Sequence, residues 1–381
     1  MSTAAIICEY NPFHNGHKFH IEETKRLTGA DSVIAIMSGN FVQRGECASY
    51  DKKLRAKAAV FGGADLVLEL PAVYACASAE FFALGAVRIL NALGIVDTLS
   101  FGAETDDVAS IMSVARLLAN EPESFSDNIK KHSQNGLSFP AAREAAVRDI
   151  MGNAAAEILS SPNNILGTEY CKALIKEKSD ITPFAVMRKG AAHDTAQTDG
   201  AIASASHIRS IIYGQGFDKA KAFMPDFAAE LFDTAPIHSI KAMEKAIIAQ
   251  LVKMPLDDLK CISDVAEGLE NRIKAAAATS ASLDELVDKI KTKRYTHSRI
   301  RRIILSAYLG ITNALRETIP PYIKILDHNE KGQKLIAAAK KTSALPLVRN
   351  TSQLLKLKDP AAKEFWDREA VFDRIFEFCK I

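Results

Sequence analysis

The sequence has no uncharged apolar run long enough for a membrane helix and no recognisable targeting segment. A helix that spans a bilayer needs about 20 predominantly apolar residues. Residues 1–9 lack the basic start, the long apolar stretch and the small-residue cleavage site of a signal peptide. We therefore expect a cytoplasmic protein with no membrane partner.

Cysteine pairs are also missing. The chain contains no Cys-x-x-Cys motif and no zinc-like spacing between cysteine and histidine. Its six cysteines are spread along the chain, which predicts reduced thiols that mostly serve as packing residues. A length of 381 residues allows two or three domains with a full core, so a small disulfide scaffold is excluded.

Charge is nearly balanced overall but is distributed unevenly. The formal net charge is +2, yet residues 1–200 hold 19 basic and 24 acidic side chains, whereas residues 201–381 hold 29 and 22. The cations concentrate in residues 289–349, where 14 Lys and Arg face only Glu317, Asp327 and Glu330. A basic block of this kind indicates a polyanionic partner.

Apolar segments alternate with helix-compatible segments in the first half of the chain. Strands are predicted at residues 4–9, 32–37, 66–70, 97–101 and 181–187, and helices at 16–27, 51–61, 77–93, 105–120 and 164–178. This alternation predicts an α/β protein with a Rossmann-like parallel sheet. We expect it to occupy residues 1–215, with a helical insertion near 121–160, and we expect residues 216–381 to form a mainly helical basic domain.

The most informative motif lies directly after the first predicted strand. His14-Asn15-Gly16-His17 falls where that strand turns into a helix, and ligands of doubly wound sheets collect beyond the carboxyl ends of the strands. The helix start offers unpaired N–H groups to phosphate, and imidazoles can donate hydrogen bonds to a leaving pyrophosphate. The motif predicts nucleotidyl transfer at the α-phosphate of ATP, with His14 and His17 as catalytic residues.

Two further loops are consistent with a nucleotide pocket, and one alternative concerns metal. Arg44 lies in a polar loop after the second strand, and Ser206 and Arg209 lie at a predicted helix start; all three are candidate contacts for phosphate or a carboxylate substrate. An ordinary surface loop and a simple helix cap are the other interpretations. His14, His17 and His20 could instead bind a metal, but no nearby carboxylate or cysteine completes such a set.

Together these motifs resemble the nucleotidyltransferase superfamily that carries a His-x-Gly-His signature. More closely, residues 9–17 (EYNPFHNGH), 39–46 (GNFVQRGE), 161–164 (SPNN) and 294–302 (RYTHSRIRR) are similar in order and spacing to the bacterial tRNA(Met) cytidine acetate ligase family. That resemblance implies an enzyme that forms acetyl-adenylate from acetate and ATP. The acetyl group would then pass to N4 of the wobble cytidine of elongator tRNA(Met), giving N4-acetylcytidine.

The resemblance also implies which residues contact ATP. These are Ile7, Cys8, Glu9, Tyr10, Asn11, Pro12, Phe13, His14, Asn15, Gly16, His17, Lys18, Phe19, His20, Gly102, one of Asn163 and Asn164, and Arg188. Mg²⁺ is expected with the phosphates, held largely by water and by the phosphates themselves, so we assign no metal ligands in the protein.

The tRNA is expected to bind the basic helical part. Six cations occur within residues 291–302 without an acid: Lys291, Lys293, Arg294, Arg299, Arg301 and Arg302. Tyr295 and His297 could stack on unpaired bases. A solvated helix face is the other interpretation of this segment.

Two other functions stay open at this point. A small-molecule adenylyltransferase of the same superfamily does not require the basic block, and a noncatalytic RNA-binding protein does not require His14 and His17. The presence of both features favours the acetate ligase.

Overall fold

The computed structural model describes residues 2–188, 201–266, 268–293 and 295–381. Their strands are β1 (Thr3–Cys8), β2 (Ser32–Ser38), β3 (Phe41–Val42), β4 (Glu46–Cys47), β5 (Leu66–Leu70), β6 (Thr98–Ala103), β7 (Thr182–Met187), β8 (Ile323–His328) and β9 (Leu347–Val348).

Helices surround these strands and dominate the C-terminal part. The helices that precede β7 are α1 (Asn15–Thr28), α2 (Lys52–Phe61), α3 (Ala72–Ala75), α4 (Ala79–Leu93), α5 (Val108–Asn120), α6 (Glu123–Gln134), α7 (Phe139–Met151), α8 (Asn153–Ile158) and α9 (Pro162–Lys176). The later ones are α10 (Ala205–Gln215), α11 (Phe217–Ala220), α12 (Asp226–Asp233), α13 (Glu244–Lys253), α14 (Leu256–Cys261), α15 (Leu269–Ala277), α16 (Leu283–Ile290), α17 (His297–Leu309), α18 (Asn313–Glu317), α19 (Glu330–Thr342), α20 (Thr351–Leu355) and α21 (Pro360–Glu377).

Seven of the strands form one sheet in the order β7-β6-β1-β2-β5-β8-β9. The first five of that order are mutually parallel, β8 is antiparallel to β5, and β9 is parallel to β8. The predicted α/β class with a helical C-terminal region is therefore confirmed. Within the described ranges, no helix has both the length and the apolar composition needed to cross a bilayer.

Both faces of the central strands are buried, as is typical of parallel sheets. Ile7, Ile34 and Ile36 point to one face, where α4, α9 and α21 pack, while Ile6 and Val33 point to the other, where α1 and α2 pack. A third core joins α13, α15, α16 and α17. The last core belongs to the helical region that carries the basic block.

The C-terminal region is not wholly helical, and its elements complete the sheet. Strands β8 and β9 were not predicted, because β8 (IKILDH) mixes charged and apolar residues and β9 has only two residues. Phe365, Phe372 and Phe376 of α21 are buried in the core that also contains Phe82. The sheet therefore does not end at the expected boundary at residue 215, because β8 and β9 follow that residue.

The helical insertion expected near residues 121–160 corresponds to α6, α7 and α8.

The buried side chain of Arg55 holds the carboxyl ends of β1 and β2 together. Its guanidinium donates to the carbonyl oxygens of Glu9 (2.5 Å), Ser38 (3.2 Å) and Gly39, and its Nε donates to the Tyr50 carbonyl (2.9 Å). A buried cation needs such partners to offset its lost hydration. Arg55 thereby places the chain that leaves β1, and with it the predicted catalytic motif.

Candidate active site

A cavity of about 260 Å³ opens at the carboxyl ends of β1, β6 and β7. The starts of α1 and α10 form one wall, and α4, α9 and the turn between β3 and β4 form the other. Ligands of α/β sheets bind at this edge, so the cavity lies where the sequence places the nucleotide.

Two imidazoles hold the start of α1 by reciprocal hydrogen bonds. His14 is the N-cap residue: its Nδ1 accepts from the Gly16 N–H at 3.1 Å, while Nδ1 of His17 accepts from the His14 N–H at 3.3 Å. The two rings stack with centroids 3.6 Å apart. A Cβ at residue 16 would lie 3.0 Å from the His14 ring, so glycine leaves room for this arrangement.

These bonds determine which ring nitrogen carries the proton. A nitrogen that accepts a backbone N–H must keep its lone pair, so neutral His14 and His17 are protonated on Nε2. Each ring is then a donor on the side opposite its bond to the backbone. Such donors stabilise negative charge as it develops on phosphate oxygens.

The histidines are neutral at physiological pH. Burial, together with the nearby cations Arg188 and Arg209, lowers the pKa of His14 to about 3. Burial and neighbouring imidazoles and Arg188 hold the pKa of His17 well below its usual value. Burial and Arg188 lower the pKa of His20 to about 4. The positive charge of the cavity therefore comes from arginines rather than from imidazolium.

Two arginines from different elements line the cavity. Arg188 follows β7 and its Nη1 donates to Asn163 Oδ1 at 3.3 Å. Arg209 lies on α10, where it donates to the Asn11 carbonyl at 2.8 Å and to Ser206 Oγ at 3.3 Å. Ser204 caps α10 by accepting from the His207 N–H, so a second helix N-terminus faces the same space. The cavity is thus suited to a polyanion.

Most of the site residues expected from the sequence line this cavity. They are Ile7, Cys8, Glu9, Tyr10, Asn11, His14, Gly16, His17, Phe19, His20, Arg44, Gly102, Asn163, Arg188 and Arg209. The structure therefore brings the first motif, the second loop and the two later arginines to one place.

The other expected residues lie outside the cavity wall. Phe13 is fully buried between Tyr10 and Phe227, and Asn15 donates to the Ala201 carbonyl. Pro12 is buried as well, Lys18 pairs with Glu22 at 3.8 Å, and Ser206 supports Arg209. These side chains shape or support the site.

The two adjacent asparagines of α9 have different surroundings. Asn164 is buried, and its Oδ1 and N–H bond the backbone and side chain of Glu104 at 2.8 and 2.9 Å. Asn163 lines the cavity, where its Nδ2 donates to Glu104 Oε1 at 2.6 Å. The geometry therefore favours Asn163 as the ligand-facing member of the pair.

Several lining residues were not identified from the sequence. They are Ile6, Gln43, Phe82, Phe101, Leu166, Tyr170, Val186, Met187, Ile202, Ala203, Ser204 and Ala205. Most of them are apolar. From sequence alone, an apolar residue on a helix or strand is interpreted as a core residue, and only the fold shows that its side chain borders a cavity. Gln43 lies in the segment predicted as a polar loop, and Ser204 lies in the segment predicted as a helix start.

The structure offers no prebuilt metal cage. Among the described residues, no group of three or more His, Cys, Asp and Glu side chains is arranged to hold an ion. His14 and His17 use Nδ1 for backbone bonds and stack on one another, which does not suit joint coordination of one metal. The six cysteines are all unpaired.

The predicted tRNA-binding cations are divided between surface and interior. Lys291 and Lys293 are exposed in the linker between α16 and α17, and Arg294 lies outside the described residues. Arg299 donates to the Asp264 carbonyl at 3.0 Å, Arg301 pairs with Glu46 at 3.1 Å, and Arg302 is partly buried. Arg299 and Arg302 are thus partly buried, whereas the Arg301 side chain is 41% exposed and stays a predicted tRNA contact.

Of the two aromatic side chains that were predicted to stack on bases, only one is exposed. Tyr295 is buried under the guanidinium of Arg299, whose centre lies 5.0 Å from the ring. His297 is exposed and contacts Asp288 at 3.1 Å. Only His297 of the two rings is accessible for stacking on a base.

A glycine joins this helical region to the wall of the cavity. Gly45 has φ +75°, and a Cβ on it would lie 2.5 Å from the backbone of Arg301 and Arg302. The turn before Gly45 carries Gln43 and Arg44, which line the cavity. Helix α17 therefore packs directly on the turn that borders the candidate active site.

Comparison with known proteins agrees with these features. The sequence model of the HIGH Nucleotidyl Transferase family matches residues 1–380. A protein named tRNA(Met) cytidine acetate ligase from Acetivibrio thermocellus is 42% identical over 395 aligned positions, covering 100% of this chain and 95% of the relative. The protein of the same name from Clostridium perfringens is 38% identical over 96% of this chain and 93% of the relative.

Two solved structures are also similar to this chain over its whole length. The apo crystal structure of Thermotoga maritima TmcAL is similar over 100% of this chain and 96% of that one, with a TM-score of 0.94 and 31% identity. TmcAL bound with alpha-thio ATP has a TM-score of 0.91 and 32% identity, over 100% of this chain and 95% of that one.

The buried, neutral state of His14 predicts a pH-dependent stability. Its folded pKa of about 3 is below the usual 6.5, so the unfolded chain binds more protons between these values and stability is lost as the pH falls below 6.5. His14→Asn keeps an N-cap side chain but does not titrate. Between pH 7 and pH 5, we expect the wild type to lose about 2 kcal/mol more unfolding free energy than this variant. Urea unfolding at both pH values measures the difference, and equal losses would contradict the assignment.

Proposed function

Because the chain belongs to the HIGH nucleotidyl transferase family and, within it, to the tRNA(Met) cytidine acetate ligases, we propose that it activates acetate with ATP. The acetyl group is then transferred to N4 of the wobble cytidine of elongator tRNA(Met). The observation that carries the proposal is the pair of Nε2–H donors at the start of α1 inside a cavity that also holds Arg188 and Arg209. A cytoplasmic location follows from these substrates.

Acetate does not react with an aromatic amine until its oxygen is converted into a leaving group. In the first step, an acetate oxygen attacks the α-phosphorus of ATP and pyrophosphate departs. His14 and His17 donate from Nε2 to the phosphate oxygens as charge grows on them, and Arg209 adds positive charge from α10. These groups need little reorganisation, because backbone bonds already hold them in place.

The base of ATP is assigned to the side of the cavity formed by β6 and β7. Gly102 and Arg188 follow those strands, and Asn163 presents an amide beside them. An amide offers both a donor and an acceptor, which matches the edge of adenine. Arg44 lies on the opposite side, where it is suited to the carboxylate of acetate.

Mg²⁺ is expected to accompany the phosphates and to screen their charge. Of the described residues that line the cavity, Glu9 alone carries a carboxylate. A single carboxylate is too few for a dedicated Mg²⁺ site, so phosphate oxygens and water would supply most ligands.

The first test is chemical and addresses the whole reaction. The protein is incubated with ATP, Mg²⁺, labelled acetate and elongator tRNA(Met), and the tRNA is digested to nucleosides. We expect labelled N4-acetylcytidine that requires ATP, and no label in a tRNA whose wobble cytidine is replaced by uridine. A small-molecule adenylyltransferase or a noncatalytic RNA-binding protein would leave both tRNAs unlabelled.

The exposed linker lysines give a separate test of tRNA binding. Replacing Lys291 and Lys293 together by glutamine should weaken tRNA binding and reduce the slope of log affinity against log salt by up to about 2, because each phosphate contact releases roughly one counterion. Formation of acetyl-adenylate should stay unchanged. Filter binding over a range of salt concentrations measures the slope.

The matched control uses two lysines of the same basic block. Lys340 and Lys341 are exposed at the end of α19, next to Thr342, which bonds the Leu93 carbonyl at the edge of the sheet opposite the cavity. Their glutamine variants should retain wild-type tRNA affinity. Equal weakening by both pairs would show that the linker is not the binding site.

A further inference from the structure

A carboxylate borders the cavity beside the turn between β3 and β4. Glu9 is the sole carboxylate among the described lining residues, and it directly follows β1. Its Oε1 accepts from the Gln43 N–H at 2.7 Å, which holds the carboxyl group toward the turn between β3 and β4. Its carbonyl oxygen is held by Arg55. Glu9 is therefore held through both its carboxyl group and its backbone.

The other titratable groups among the described lining residues are less suited to accept a proton. Nδ1 of His14 and Nδ1 of His17 already accept backbone N–H groups, so those rings can only donate. His20 lies on α1, where its Nε2 pairs with Ser100 Oγ at 3.3 Å. Burial raises the pKa values of the Cys8 thiol and the Tyr170 phenol, which stay protonated. The arginines are permanent cations.

The position of Glu9 also matches the side from which tRNA would enter. Gln43 belongs to the turn whose Gly45 packs on α17, and α17 follows the exposed linker that carries Lys291 and Lys293. A nucleotide that approaches from this helical region reaches the Gln43 side of the cavity before it reaches the α1 side.

We propose that Glu9 is the general base of the second step and takes the proton from N4 of the cytidine. The inference rests on the proposed acetyl transfer. N4 attacks the carbonyl carbon of acetyl-adenylate and a C–N bond forms. The bond between that carbon and the phosphate oxygen breaks, and AMP leaves with the electron pair. The N4 proton passes to the Glu9 carboxylate and then to solvent.

A carboxylate is strong enough for this transfer. The exocyclic amine of cytosine is a weak nucleophile because its lone pair is delocalised into the ring. Once N4 has bonded to the carbonyl carbon, the nitrogen carries positive charge and becomes strongly acidic. A weak base placed within hydrogen-bond reach can then remove the proton.

The test separates the two chemical steps. Adenylate formation is followed by acetate-dependent exchange of labelled pyrophosphate into ATP, and transfer is followed in a single turnover from preformed labelled acetyl-adenylate after tRNA is added. Glu9→Gln keeps an oxygen that can accept from Gln43. We expect its transfer rate constant to fall about 100-fold or more, the range of a lost general base. Its exchange rate at saturating ATP should fall by a much smaller factor, since Glu9 also lines the ATP cavity.

Two further variants serve as control and rescue. Glu22→Gln makes the same chemical change on the exposed face of α1 and should leave both rates unchanged. Glu9→Ala should transfer slowly, and added formate should restore part of the rate by supplying a carboxylate. Rescue by formate is not expected from a residue with a purely structural role.

Three outcomes would overturn the role of Glu9. They are an unchanged transfer rate in Glu9→Gln, an equal loss in both steps, and an increased Mg²⁺ requirement for exchange, which would make Glu9 a metal ligand. Failure of the proposed function is distinguishable, because the wild type would then form no acetylcytidine at all.

Discussion

The reciprocal hydrogen bonds between His14, His17 and the backbone at the start of α1 are the constraint on which the site depends. They cap the helix and determine the protonation of both rings with the same contacts. Because each Nδ1 is occupied, both Nε2–H groups are available to a phosphate. A helix start that would otherwise offer only backbone N–H groups thereby gains two fixed side-chain donors.

The sheet and its connections hold this helix start in place. Arg55 bonds carbonyl oxygens after β1 and after β2, so the chain that leaves β1 cannot shift independently of its neighbour strand. Phe13, which follows β1, is buried against Tyr10 and Phe227. The aromatic core thus anchors the residue immediately before His14. On the opposite wall, the turn at Gly45 packs on α17 and links the helical region to the cavity.

The five parallel strands and the position of the His-x-Gly-His motif at the start of α1 could be predicted from the sequence, because they depend on local patterns. Strand β5 spans the predicted residues, and β1 and β2 differ from their predicted bounds by one residue at some ends. Strand β8 could not be predicted with the same means, since its place in the sheet depends on pairing with β5, far away in sequence. The different surroundings of Asn163 and Asn164 could not be predicted either, because both residues contact Glu104, which lies about 60 residues earlier.

The charged segment shows the limit of sequence patterns most clearly. A run of cations indicates a polyanion partner only if the side chains reach solvent, and Arg299 and Arg302 are partly buried. Arg301 is 41% exposed but pairs with Glu46 across about 250 residues of sequence. Tyr295, which was predicted to stack on a base, is likewise buried. Among the described residues of 291–302, the most exposed cations are Lys291 and Lys293 of the linker and Arg301 of α17.

The central claim is that His14 and His17 support chemistry at the α-phosphate of ATP with acetate as the nucleophile. Acetate-dependent exchange of labelled pyrophosphate into ATP, measured without tRNA for the wild type and for His17→Asn, tests it most directly. The account predicts exchange in the wild type that requires acetate and a loss of about 100-fold or more in His17→Asn, as when a transition-state donor is removed. Exchange that does not depend on acetate, or that His17→Asn supports at the wild-type rate, would contradict it.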